Sequence, residues 1–145
     1  MRILVDGDSC PVIDLTVEIA NKYMIELKVF ADIYHNIKIA FGELILVDKG
    51  NQSVDMCIVN QCQSGDIVVT ADYGLAALAL GKNSQVIDFS GRIYSEKNIN
   101  YLLMKRHKHA KIRRTGGSHS TESKRTQEDD IKYQKSLIVL IESNL

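Results

Sequence analysis

Short apolar runs alternate with segments of helical periodicity along the first two thirds of this chain, and this alternation limits the fold more than any other feature. The apolar runs have the length and the composition of buried strands. Five of them are found before residue 90. They are Arg2–Val5, Glu26–Ala31, Leu44–Val47, Ile67–Thr70 and Val86–Ile87.

Helices are predicted between several of these strands. Pro11 is placed at a first helical position, which suits its locked φ angle, and apolar residues then recur at helical spacing as far as Met24. A second helix is predicted over Val54–Cys62, and a third over Leu75–Leu80 ends at Gly81. Such alternation is typical of βαβ units. The predicted fold class is therefore α/β, with three layers and a mainly parallel sheet that carries helices on both faces.

The composition changes after Ser95, which is placed to cap a helix that runs into a basic segment and a Thr-Gly-Gly turn. Thr126 and Asp129 have the spacing of a capping box and predict the start of a last helix. The apolar face of that helix consists of Tyr133, Leu137, Leu140 and Ile141. We therefore predict a single domain over residues 1–145, with an α/β core over 1–94 and the basic helix, turn and C-terminal helix over 95–145.

Composition excludes several classes of function. The chain has 145 residues, and its 18 basic and 18 acidic residues leave no net field to attract nucleic acid, although local patches can still do so. No apolar run is long enough for a membrane helix, and Asp6 and Asp8 fall where a signal peptide would be apolar, so a cytoplasmic protein without a membrane partner is expected. The Leu137–Ile141 run is apolar all round, which fits core packing or a homodimer contact through the C-terminal helix.

The three cysteines form no CxxC pair, so neither a zinc site nor a disulfide framework is predicted. Cys10 precedes a predicted helix, whose N-terminus can lower the pKa of a thiol. A nucleophilic cysteine also needs a nearby base, and the sequence supplies none. Cys10 is therefore predicted to be an ordinary thiol.

Four aspartates are expected to meet at one edge of the sheet. Asp6 and Asp8 follow the first strand, Asp72 follows the fourth, and Asp55 begins the second helix. The carboxyl ends of parallel strands lie at one edge, where ligands bind in open α/β sheets. Carboxylate oxygens suit Mg²⁺ or Mn²⁺, and such an ion can activate water and offset charge on phosphorus. The alternative is that these aspartates only cap helices or begin turns.

A basic run from Lys105 to Arg114 holds six Lys or Arg and two His within ten residues. It predicts phosphate binding, and the backbone N–H groups of the following Thr115–Gly117 turn can bind an oxyanion. The alternative is a solvated helix end, where cations are favoured by the helix dipole. The candidate substrate-binding residues are Lys105, Arg106, Arg113, Arg114, Thr115, Gly116 and Gly117.

Three segments together resemble the signatures of the YaiI/YqxD family of uncharacterised bacterial proteins. They are Val5–Pro11, Gly65–Asp72 with the following Leu75-Ala76, and Thr115–Gly117. That family is similar to PIN-like nuclease domains. The resemblance implies that Asp6, Asp55 and Asp72 bind the divalent metal for phosphodiester hydrolysis, with Asp8 as an auxiliary acid.

Three functions stay open at this point. The first is a nuclease acting on RNA, in which Asp6, Asp55 and Asp72 hold Mg²⁺ or Mn²⁺ and Asp8 orients or deprotonates water. The second is a non-catalytic RNA-binding module of the same fold. The third is a phosphatase of the haloacid-dehalogenase type with Asp6 as nucleophile, against which the unusual Ser9-Cys10 continuation counts.

Overall fold

The computed structural model describes residues 1–48, 53–114 and 124–145, without the side chains of 109, 110 and 112–114. The elements in chain order are β1 (Arg2–Asp6), α1 (Ile13–Tyr23), β2 (Glu26–Asp32), β3 (Glu43–Val47), α2 (Val54–Gln61), β4 (Ile67–Val69), α3 (Tyr73–Gly81), β5 (Gln85–Ile87), β6 (Ile93–Tyr94), α4 (Glu96–Arg114) and α5 (Gln127–Ser143). In this part of the chain the strands form one sheet in the order β3-β2-β1-β4-β5-β6. Every neighbouring pair is parallel except β5 and β6.

The central strands are buried on both faces, which explains their uninterrupted apolar sequences. In β1, Ile3 and Val5 join one core cluster with α1 and α5. Leu4 points to the other face and joins a second cluster with α2, α3 and α4. The alternation follows from the two-residue period of a strand. The predicted three-layer α/β class is therefore confirmed.

Helices α4 and α5 pack on the same sheet as the preceding helices. From α4, Ile99 and Leu102 enter the second core cluster. From α5, the four predicted apolar-face residues are all buried in the first cluster. Within the Leu137–Ile141 run only Val139 is largely exposed, at 59%, and a homodimer contact through this helix stays a prediction. No helix among the described residues is both long and apolar enough to span a membrane.

Most predicted helix caps are present. Thr126 and Asp129 form the capping box of α5, and Asn98 N–H donates to Ser95 Oγ at the start of α4. The predicted start of α1 at Pro11 is wrong. Val12 has a non-helical φ of −117° and serves as N-cap, so the helix begins at Ile13. Strand β6 was not predicted because two residues are too few to show a period.

Candidate functional site

The strand order reverses at the centre of the sheet, between β1 and β4. From β1 the chain continues to β2 and β3 on one side, and it then returns to β4 on the other. In open α/β sheets, ligands bind in the crevice outside the carboxyl ends of strands at such a point. Val5 is in register with Val69, so Asp6 and Thr70 come next on neighbouring strands. The sheet topology therefore brings Asp6 close to the turn that carries Asp72.

A cleft of about 470 Å³ opens at this edge. Its lining residues are Asp6, Asp8, Ser9, Pro11, Ala71, Asp72, Phe89 and Arg125. Three of the four aspartates singled out by sequence thus share one cleft. Asp55 is not a lining residue, but from the first turn of α2 its charge raises the pKa of Asp6, and the charge of Asp72 raises the pKa of Asp55.

Gly7 separates Asp6, at the end of β1, from Asp8 and lets the chain pass close to β2. Its N–H donates to the carbonyl oxygen of Phe30 at 2.7 Å. A Cβ atom at this position would lie 2.8 Å from that oxygen, closer than real Cβ contacts. Any larger residue would force β1 and β2 apart at the cleft.

Asp6 is held by a hydroxyl that also positions Asp72. Thr70 Oγ1 donates to Asp6 Oδ2 at 3.0 Å and accepts the backbone N–H of Asp72 at 3.0 Å. Burial raises the pKa of Asp6 to about 6, although the Thr70 hydrogen bond lowers it. The charges of Asp55 and Asp8 raise this pKa further. Asp6 is therefore a buried acid beside two other acids, and no nearby positive charge in the described part of the chain offsets the rise in its pKa.

Asp55 is a second acid whose pKa is raised by burial and by a neighbouring carboxylate. Burial raises the pKa of Asp55, and the nearby Asp72 carboxylate raises it as well. Arg106 acts in the opposite direction and lowers it. Like charges held together in this way favour a bound cation or a proton.

Asp8 is oriented by the loop that follows β2. Its Oδ1 atom lies 3.1 Å from His35 Nδ1 and accepts the backbone N–H of Asp32 at 3.1 Å. In this loop Tyr34 is 84% exposed, whereas His35 contacts the second acid of the site.

Asp72 caps α3, as the structural alternative expected. Its Oδ1 accepts the N–H groups of Gly74 at 2.8 Å and Leu75 at 3.1 Å. The same oxygen lies 3.7 Å from Arg106 Nη1, so α4 brings its basic segment to the rim of the cleft. Capping uses Oδ1 of Asp72, so Oδ2 can contact a ligand.

The predicted phosphate-binding residues are only partly described. Lys105 and Arg106 are exposed on α4. The backbone of Arg113 and Arg114 continues this helix, but their side chains lie outside the described residues. Thr115, Gly116 and Gly117 also lie outside the described residues.

Two cleft residues, Phe89 and Arg125, were not among the candidates from sequence. Neither is part of a periodic pattern or a charge run. Phe89 follows β5 and Arg125 precedes the cap of α5, so only the arrangement of elements brings them to the carboxyl edge.

Cys10 lies beside the cleft. Burial of the thiol raises the pKa of Cys10 to about 12. The interpretation of Cys10 as an ordinary thiol agrees with this environment. Across residues 1–48, 53–114 and 124–145, no group of three or more His, Cys, Asp or Glu side chains forms a ready-made metal cluster.

Removing the Thr70 hydroxyl is expected to raise the pKa of Asp6 above 6. Thr70→Val deletes the hydrogen bond that favours the charged carboxylate and leaves its burial in place. A titration of carboxyl carbon chemical shifts by NMR measures this value. Thr70→Ser keeps the hydroxyl and is expected to titrate like the wild type. Equal pKa values in the Val and Ser variants would contradict the role of the hydroxyl.

Comparisons with known proteins agree with the segments identified by sequence. The model of the "Uncharacterized BCR, YaiI/YqxD family" matches residues 4–143. A UPF0178 protein of Alkaliphilus oremlandii is 42% identical over 145 residues, covering 100% of this chain and 94% of its own length. A UPF0178 protein of Clostridium kluyveri is 47% identical over 141 residues, covering 97% and 93%. No solved structure matches. The chain belongs to the YaiI/YqxD (UPF0178) family of bacterial proteins.

Proposed function

We propose that this protein is a divalent-metal-dependent nuclease that acts on RNA. The observation that carries the proposal is the shared cleft of Asp6, Asp8 and Asp72 at the point where the strand order reverses. Basic side chains of α4 stand at its rim, and Arg106 lies 3.7 Å from Asp72. An acidic cleft beside a cationic helix suits a ligand that carries phosphates together with a metal ion.

The donor set fits Mg²⁺ or Mn²⁺. Mg²⁺ is usually held by one or two carboxylates, several waters and substrate phosphates, so it does not need a closed cluster of three protein ligands. The described side chains form no group of three that could hold an ion by themselves, so direct ligation by all three acids is not proposed. Asp6, Asp55 and Asp72 are proposed to hold the ion through one or two direct carboxylate contacts and otherwise through its bound waters. When bound, the ion lowers the pKa of water and offsets negative charge on a phosphoryl group.

The other residues of the site have roles that follow from their contacts. Asp8 is proposed to orient the attacking water or accept its proton, since His35 and the N–H of Asp32 fix one of its oxygens and leave the other. Lys105 and Arg106 are exposed and are proposed to bind the flanking phosphates of the strand. Arg113, Arg114 and the Thr115–Gly117 turn are proposed to extend this basic surface.

The test is hydrolysis of a labelled single-stranded RNA by purified protein. Cleavage is expected with Mn²⁺ or Mg²⁺ and is expected to stop on addition of EDTA. RNA binding without turnover would favour the non-catalytic module instead. Turnover of a small phosphomonoester, with RNA left intact, would favour a phosphatase that uses Asp6 as nucleophile.

A further inference from the structure

We infer that Arg125 binds a phosphodiester group of a nucleic-acid strand inside the acidic cleft. This inference rests on the proposed function and adds a residue to it. Arg125 is the one cation among the described residues that line the cleft, where it faces Asp6, Asp8 and Asp72. Without Arg125, the charged side chains among these lining residues would all be carboxylates.

The guanidinium is held in place by one partner and keeps other donors unused. Its Nε donates to Asp130 Oδ1 at 2.7 Å, across the first turn of α5. Within the described residues, Nη2 has no hydrogen-bond partner but is shielded from solvent, so a ligand in the cleft would contact the accessible part of the side chain, which is 25% exposed. Arginine has five N–H donors in a fixed plane that matches phosphate oxygens. The Asp130 contact therefore orients the side chain without saturating it.

The cleft acids do not neutralise this charge. In the part of the chain that the structure describes, no ion pair joins Arg125 to Asp6, Asp8 or Asp72. Its ion pair is with Asp130, which does not line the cleft. Separated charges of both signs instead suit a ligand that presents an anion to one wall and a cation to the other.

Phe89 specifies the ligand further. This side chain is half-buried, packs on the first core cluster and lines the same cleft. Aromatic faces next to a cationic group are the usual platform for a base and its phosphate in single-stranded nucleic acids. The combination favours a nucleotide strand over a free phosphate ion.

The experiment measures binding of a fluorescent single-stranded RNA to full-length protein in Mg²⁺, in an Asp6→Asn background that suppresses turnover. Arg125→Gln is expected to weaken affinity roughly tenfold, the loss of one charge-assisted contact. The slope of log K against log[salt] is negative, and its magnitude is expected to decrease by about 0.7, the value for one phosphate contact on a single strand. Arg125→Lys is expected to restore the slope in part. Lys135→Gln removes one exposed charge from α5, the helix that follows Arg125, and is expected to leave both quantities unchanged.

Asp130→Asn distinguishes binding from a structural role, because it breaks the ion pair and keeps the Arg125 charge. If Arg125 is only structural, Asp130→Asn and Arg125→Gln will lower the Tm alike and the salt slopes will not differ. That result overturns the inference, as does inorganic phosphate binding to Arg125 without any RNA binding. A reduced salt slope in Arg125→Gln upholds it even where the wild type cleaves no RNA, in which case only the nuclease proposal fails.

Discussion

Asp6→Asn is expected to abolish metal-dependent RNA cleavage and, at the same time, to stabilise the metal-free protein. Activity should fall more than about 10²-fold, because the change removes a proposed ligand of the ion at the centre of the cleft. Stability should rise because the carboxylate is buried beside two other acids in the folded chain. Opposite signs for activity and stability are typical of a functional group that the fold holds at a cost.

The stabilisation by Asp6→Asn is expected to grow as the pH rises. The pKa of Asp6 is about 6 in the folded chain against 3.8 for an ordinary aspartate, so the folded state binds the proton more tightly. The contribution of Asp6 to the free energy of unfolding is therefore most favourable below pH 4 and is lost as pH rises through 6. The full difference corresponds to at most about 3 kcal/mol at pH 8. Denaturant unfolding of wild type and Asp6→Asn in EDTA, at pH 4 and pH 8, measures it.

Glu18→Gln is the matched control, since Glu18 is an exposed carboxylate on α1 away from the cleft. It is expected to change neither cleavage nor the difference in stability between the two pH values. Cleavage that persists unchanged in Asp6→Asn would reject the metal-ligand assignment. A stability gain without any effect on activity would leave Asp6 as a strained but non-functional acid.

Asp66→Ala is expected to cost about 3 to 5 kcal/mol of stability, as is typical for breaking a buried ion pair. Asp66 is 3% exposed and precedes β4, at the opposite edge of the sheet from the cleft. Its Oδ2 accepts from Arg2 Nη2 at 2.7 Å and from the Gln63 N–H at 2.9 Å. The Arg2 backbone N–H also donates to Oδ1 at 3.2 Å. Removing the carboxylate leaves the two backbone N–H groups without this acceptor. The Arg2 guanidinium then keeps the Gln61 carbonyl oxygen at 2.8 Å and a 3.9 Å contact with the exposed Glu26.

Thermal unfolding of Asp66→Ala checks this prediction, with an expected decrease in Tm of roughly 10 °C for a chain of this size. Glu43→Ala is the control, because its pair with Lys28 spans 4.0 Å and the Glu43 side chain is 63% exposed. That variant is expected to lose about 1 kcal/mol or less. Per folded molecule, cleavage by Asp66→Ala is expected to match the wild type. A specific loss of turnover would show that this acid also takes part in the reaction.

Two aspartates of one sequence segment illustrate what the sequence could and could not predict. Gly65–Asp72 was identified as a single signature, but Asp66 and Asp72 lie at opposite ends of β4 and have different partners. Periodicity was sufficient to place β4 because the strand is buried on both faces. Periodicity does not show that one acid pairs with Arg2 while the other lines a cleft, because their partners come from distant parts of the chain.

The order of strands and helices determines which parts of the site were predictable. The convergence of Asp6, Asp8 and Asp72 followed from parallel strands sharing a carboxyl edge, a rule that needs only the order of elements. The contact of His35 with Asp8 depends on an irregular loop, and that of Arg125 with the cleft depends on how α5 docks. Neither has a local sequence signal. The late start of α1 likewise reflects the backbone of the preceding turn, where Ser9 has a φ of 56°.

The register of β1 on β4 has a consequence for relatives of this protein. Asp6 and Thr70 lie side by side because β1 and β4 are paired at the centre of the sheet, although the chain between them passes through α1, β2, β3 and α2 and the loops that join them. Insertions or deletions in those loops would alter the number of intervening residues and leave the pair where it is. Alignment of relatives should therefore be anchored on the two strands rather than on the number of residues between them.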